Sequence, residues 1–133
     1  MKKISIASQQ RAQVIDITVD VQKIVNQKKI FSGIVTVYSP HTTAAITVNE
    51  NADPDVKLDM NNFLKELVPQ NKNFAHAEGN SDSHIKGSLL NFSQTFIVED
   101  GQIQLGTWQG IFFMEFDGRV NLQENLLDRD QSF

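Results

Sequence analysis

Cysteine is absent from this chain of 133 residues, tyrosine and tryptophan occur once each, and proline occurs three times. Without thiols there is no disulfide framework, no thiolate metal site and no cysteine nucleophile. Any bound metal must therefore take nitrogen and oxygen ligands. Positive charge is also short: the formal net charge is -4, with Lys and Arg scattered along the chain. A broad nucleic-acid footprint needs clustered cations, so none is expected. No apolar run approaches the roughly 20 residues that span a bilayer. The opening MKKISIASQQ has basic residues but no long apolar stretch behind them, which is unlike a signal peptide. The expectation is a soluble cytoplasmic protein whose partners include neither nucleic acid nor membrane.

What remains is enough for one domain with a real core, and there is no repeat, low-complexity tract or linker. Strand character appears at Ile4–Ala7 and Gln13–Thr18. Thr18 and Asp20 open a short helix with an apolar face of Val21, Ile24 and Val25. The β-branched run Gly33–Tyr38 predicts a strand, broken by Ser39-Pro40. Thr43–Asn49 resumes as a strand, with Ala44, Ile46 and Val48 toward the core and the other face polar. Asp53-Pro54 is a capping acid followed by proline at the first helical position. The stripe Val56, Met60, Phe63, Leu64 and Leu67 carries that helix to Pro69.

Residues 68–81 read as a long polar connection, of the length at which loops tend to be functional or mobile. Asn80, Ser81 or Asp82 caps a further helix with Ile85, Leu89 and Leu90 inward, and Gly87 weakens it. Glu99-Asp100-Gly101-Gln102 predicts a tight hairpin between Thr95–Val98 and Ile103–Leu105. Trp108–Phe116 is apolar on both faces, as in a central strand or one covered by another subunit. Residues 119–133 read as a polar C-terminal tail to a 1–118 domain. The sum is an α+β fold, a single domain of mainly antiparallel sheet with two or three helices.

Three histidines, His41, His76 and His84, lie in polar or element-terminal positions. Neutral imidazole binds Zn²⁺ and titrates near physiological pH, so metal binding and acid–base work are both open; surface histidines are the plain alternative. Glu50 is a candidate base or ligand, against a solvent carboxylate next to a helix start. Asn80, Ser81, Asp82 and Ser83 invite an anion at a helix N-terminus, with Lys86 one turn in, although Asp82 and Glu78 oppose it. Thr42 and Thr43, beside His41, can orient a substrate or simply suit a strand. Trp108 can stack on a heteroaromatic ring or fill a core or interface. No glycine pattern matches a P-loop.

Three stretches in order, SPHTTAAITVNENADPDV at 39–56, HAEGNSDSHIKGSLL at 76–90 and LGTWQGIFFMEFDG at 105–118, closely resemble the YjbQ-like family, also called secondary thiamine-phosphate synthases. The resemblance spans roughly residues 5–118. It implies a compact α+β fold assembled as a homotrimer, and a polar cluster of His41, Glu50, His76 and His84 joined by Trp108 and Gln109. The implied reaction joins a pyrimidine methyl diphosphate to a thiazole phosphate and releases pyrophosphate. His41, His76 and His84 would line the pocket, holding a divalent metal (Zn²⁺ or Mg²⁺) or contacting phosphate directly, with Thr42, Thr43, Asn80, Ser81, Asp82, Trp108 and Gln109 around the substrate. Metal-assisted hydrolysis of a phosphorylated or acylated metabolite is the alternative, and a non-catalytic metal- or anion-binding trimer is a third. Family members commonly continue past FDG with proline and a basic stretch, whereas this chain reads FDGRVNLQENLLDRDQSF.

Overall fold

The structure, a computed structural model, describes residues 1–118 together with the strand at 128–132. Among the described residues, eight strands and three helices follow in the order β1 (Lys3–Ala7), β2 (Gln13–Asp16), α1 (Thr18–Gln27), β3 (Gly33–Tyr38), β4 (Ala44–Glu50), α2 (Pro54–Leu67), α3 (Ser81–Leu90), β5 (Ser93–Glu99), β6 (Gln102–Ile103), β7 (Gln109–Glu115) and β8 (Asp128–Ser132). The strands form two antiparallel sheets, one ordered β1-β8-β3-β5-β6 and one ordered β2-β7-β4. Of the tail expected over 119–133, residues 119–127 and 133 lie outside the described residues, and β8 pairs with β1.

Short-range chemistry accounts for most boundaries. Asp53 caps α2 by accepting a 2.9 Å hydrogen bond from the Asp55 amide, with Pro54 at the first helical position. The Asp16 carboxylate accepts from both the amide and the hydroxyl of Thr18, at 2.9 and 2.6 Å, and so starts α1. Asp100 and Gly101, at φ 51° and 75°, make the tight turn between β5 and β6, with Glu99 opposite Gln102.

The main core fills the space between the sheets. Ile4, Ile6, Val35, Val37, Phe96 and Val98 from one sheet meet Ala44, Ile46, Ile111 and Phe113 from the other, with Val21 and Val25 of α1. A second cluster, Ala45, Phe112, Met114 and Phe116, lies on the opposite face of the β2-β7-β4 sheet under Met60, Leu64 and Leu90. That sheet is therefore a middle layer. β7 is its central strand, and its residues from Gly110 to Glu115 are buried. The far face of β4, expected to be polar, buries Ala45 beneath helices for the same reason.

α2 holds to the sheet only partly. Met60 and Leu64 pack on the second cluster, but Leu58, Phe63 and Leu67 are each more than half exposed. α3 departs further from the apolar-inward expectation: its buried residues are Asp82, Ser83, Lys86 and Gly87, while Ile85 and Leu89 face out.

Gly87 lets this helix lie against the entry to β4. A Cβ there would meet the Ala44 carbonyl at 3.0 Å, the Phe92 ring at 3.2 Å and the Thr42 carbonyl at 3.3 Å. Alanine normally stabilises a helix interior by about 1 kcal/mol over glycine. Here Gly87→Ala is expected to lower the urea midpoint, because two of the crowding atoms are backbone that cannot yield. A raised midpoint would show that α3 has room to spare.

Candidate functional site

Asp82 sits on the inward face of α3 with no solvent exposure. Arg11, from the β1–β2 connection, grips it with two hydrogen bonds, Nη1 to Oδ2 and Nη2 to Oδ1, both 3.0 Å. Lys86, one turn on, donates from Nζ to Oδ2 at 3.2 Å and lies 5.9 Å from the Phe116 ring centroid. Burial alone would push the Asp82 carboxyl up; the hydrogen bonds and charges of Arg11 and Lys86 outweigh it and hold the group below the ordinary carboxylate value. Arg11 in turn is held above its usual value, chiefly by its bond to Asp82. Ser83 donates to the Phe116 carbonyl at 2.7 Å, and the Phe116 amide donates to the Thr43 carbonyl at 3.2 Å. Asn80 precedes the helix without a side-chain cap; its amide donates to Asp117 Oδ2 at 3.0 Å. These bonds stitch α3 to the start of β4 and the end of β7.

A cavity opens on each side of that helix. The first, about 430 Å³, is lined by Phe74, Ala75, His76, Ser81, His84 and Ile85. His76 and His84 meet there edge to face, ring centroids 5.5 Å apart at 84°. Glu78 Oε2 stands 3.9 Å from His76 Nε2 at the solvent side. The second, about 480 Å³, is lined by Gln10, Arg11, Ala12, Lys65, Pro69, Gln70, Asn71, Asp82 and Lys86. The connection between α2 and α3 thus contributes to both.

The remaining candidates divide by position. His41 and Thr42 precede β4; Thr43 is buried there, and His41 is not among the residues lining the His76–His84 cavity. Glu50 ends β4 opposite Gln109 in the ladder, and the Asn51 amide donates to the Trp108 carbonyl at 3.0 Å. Gln109 accepts from the Gly106 amide at 2.8 Å and borders a cavity of about 330 Å³ with Gln94 and Gln104. Trp108 is exposed, outside the core that its apolar surroundings made one option.

From Ala44 to Glu50 a strand rises roughly 20 Å, so His41 and Glu50 stand at opposite ends of β4. One chain does not gather His41, Glu50, His76 and His84 into a single pocket. Two imidazoles come together, and no group of three or more His, Asp or Glu side chains able to hold a metal occurs among the described residues. Of the three rings expected to share an ion, His76 and His84 meet within one chain. Asp82, expected at the substrate, is occupied by Arg11 and Lys86. Arg11 and Lys65 escaped sequence reasoning altogether, and only the i, i+4 spacing of Asp82 and Lys86 hinted at the network.

The model of the family described as UPF0047 protein YjbQ-like matches residues 2–128. The chain belongs to the YjbQ-like family. It is 55% identical over 116 residues to a UPF0047 protein of Methanocaldococcus jannaschii, covering 87% of this chain and 84% of that one. To YugU of Bacillus subtilis it is 48% identical, with 89% and 90% covered. Among solved structures, a YjbQ/UPF0047 protein of Clostridium acetobutylicum superposes with TM-score 0.91 at 44% identity, covering 99% of this chain and 97% of that one. The α+β architecture is thus that of its YjbQ-like neighbours, and no helix among the described residues is long and apolar enough to cross a membrane.

Replacing Asp82 by Asn leaves Arg11 and Lys86 crowded without their carboxylate, at an expected cost on the order of 3–5 kcal/mol. The stability Asp82 supplies is complete above the unfolded carboxyl's pKa of about 3.9 and is lost as pH falls through the lower folded value. Denaturant titrations of both proteins should show a gap that is wide at pH 7 and closes in acid. A small gap, independent of pH, would mean that the pairing contributes little.

Proposed function

We propose that this YjbQ-like protein is a transferase of the thiamine-phosphate-synthase type, acting on phosphorylated heterocycles at the His76–His84 cavity. The observation that carries the reading is the imidazole pair, 5.5 Å between centroids, set in a cavity of about 430 Å³ with Phe74 and Ile85 on its walls. Apolar walls suit a heterocycle, and imidazoles beside the first turn of α3 suit its phosphates.

In the reaction, the thiazole nitrogen forms a bond to the exocyclic methylene carbon of the pyrimidine. The carbon–oxygen bond to the diphosphate breaks, and its electron pair departs with pyrophosphate. The barrier lies in the charge gathering on that leaving group. The imidazole N–H groups of His76 and His84, the Ser81 hydroxyl and the first-turn amides of α3 would stabilise it. No step is routed through a metal; Zn²⁺ or Mg²⁺ enters this reading only where a neighbouring subunit supplies a third donor.

The working unit in this reading is a homotrimer, in which the Glu50, Trp108 and Gln109 end of one subunit completes the cavity of the next. Support comes from apolar surface left uncovered on the single chain: Leu58, Phe63 and Leu67 on α2, Trp108, and the Ile34–Ile97 pair facing out from β3 and β5.

Pyrophosphate release from the two heterocyclic substrates tests the reaction directly. His76→Ala and His84→Ala should each reduce it by about 100-fold or more, with melting temperature nearly unchanged, since His76 is exposed and His84 half-buried. A large fall in melting temperature would make the pair structural. Cleavage of phosphate or acyl esters in place of condensation would move the chain to the hydrolases, and ligand binding without any turnover would leave a binding protein. Trp108→Ala, followed by sedimentation, should weaken the trimer.

A further inference from the structure

We propose that the cavity bordered by Arg11, Lys65 and Lys86 is a second ligand site, built for a compact anion carrying a phosphate or carboxylate group. At about 480 Å³ it has the size of a small-molecule site. No residue lining it also lines the His76–His84 cavity, although α3 and the α2–α3 connection serve both.

The hydrogen-bond donors that line the cavity point to an anion. Lys86 is buried on the same carboxylate that Arg11 grips, its side chain only 3% exposed. An ammonium has three N–H donors. One of those of Lys86 goes to Asp82, and the Phe116 ring offers the charge only its face. The remaining N–H donors of a buried ammonium call for acceptors, which an anion in the cavity would supply. Asp117, 3.9 Å from Arg11 Nε, balances the network, two cations against two carboxylates, but makes no bond to the ammonium of Lys86 among the described residues. Lys65, exposed on α2, adds a further positive charge to the rim and makes no ion pair among the described residues.

The uncharged wall fits the same guest. Gln10, Gln70 and Asn71 bring side-chain amides, which donate to phosphate or carboxylate oxygens and accept from a hydroxyl. The Asp82 carboxylate does not repel an anion as it would alone, since its oxygens are taken up by Arg11 and Lys86. Its part is to hold the two cations in place.

Calorimetric titration of the full chain with inorganic phosphate, pyrophosphate and succinate, each separately, tests the site. At least one should bind, and preference between the phosphates and succinate identifies the group recognised. Lys65→Glu, a surface change that leaves the buried network alone, should weaken that binding by about tenfold or more. His84→Ala should leave the Lys65-dependent part of the binding within about twofold, because the imidazoles belong to the other cavity, which pyrophosphate can also enter as the leaving group of the proposed reaction. The proposal is overturned if none of the three probes binds, if Lys65→Glu leaves the affinity unchanged, or if His84→Ala abolishes the Lys65-dependent part. Turnover at the His76–His84 cavity is read by pyrophosphate release, so either proposal can fail while the other stands.

Discussion

The charge cluster of Arg11, Asp82 and Lys86 is the constraint on which the rest of the site depends. α3 does not turn its apolar residues inward together: Ile85 and Leu89, one turn apart, are exposed, and Leu90 packs on the second cluster. Its orientation is set instead by a carboxylate that must be paired once it leaves water. Arg11, 71 residues away in sequence, provides the pairing, and Lys86 completes it from within the helix. An ion pair of this kind is weak evidence for net stability, since desolvation consumes much of the attraction, but it discriminates strongly against other rotations of the helix. With α3 turned this way, Ser81 and His84 face the α2–α3 connection, and Gly87 meets the backbone before β4. The His76–His84 pair follows from that choice of face.

Much of the fold was legible in the sequence because its determinants are local. Asp53-Pro54, Asp100-Gly101 and the β-branched run from Gly33 each act through neighbours within a few residues, and α2, the β5–β6 turn and β3 appear where expected. The WQGIFFMEF run was legible as a central strand, since only a strand covered on both sides can bury such a sequence. α3 was not legible in the same way. Its inward face breaks the apolar rule, and the reason lies in a single arginine remote along the chain. No propensity or period encodes that pairing. Likewise Phe63 and Leu67 satisfy the helical stripe by spacing yet remain outside, while Met60 and Leu64 of the same stripe pack on the second cluster.

The candidate site was legible by residue type more than by arrangement. Polar, ligand-capable side chains around residues 74–90 do line a cavity, and two of the three histidines meet there. His41 and Glu50 were grouped with them by motif, yet the rise of the intervening strand already separates them by more than the width of a small ligand. Read physically, the motifs describe two places: the α3 end, with His76, His84 and Ser81, and the far end of β4, where Glu50 stands beside Trp108 and Gln109.

That division is a consequence of the layering. β4 and β7 lie in the middle sheet, with the main core on one face and helices on the other, so their central residues have no access to ligand. Side chains that bind or react can sit only where these strands begin and end, or on the segments that cover them. The candidates around these strands obey this: His41 and Thr42 precede β4, Glu50 closes it, Trp108 precedes β7 and Gln109 opens it. Because β4 and β7 are antiparallel, the entry of one lies beside the exit of the other, which makes two polar ends and a dry middle. α3 chooses between those ends. Held at Gly87 against the backbone of Thr42 and Ala44, and by Ser83 to Phe116, it brings its histidine and both flanking cavities to the entry of β4. A small domain of this architecture brings its helix-borne side chains to one end from its own chain, and here the buried carboxylate of Asp82 determines which end that is.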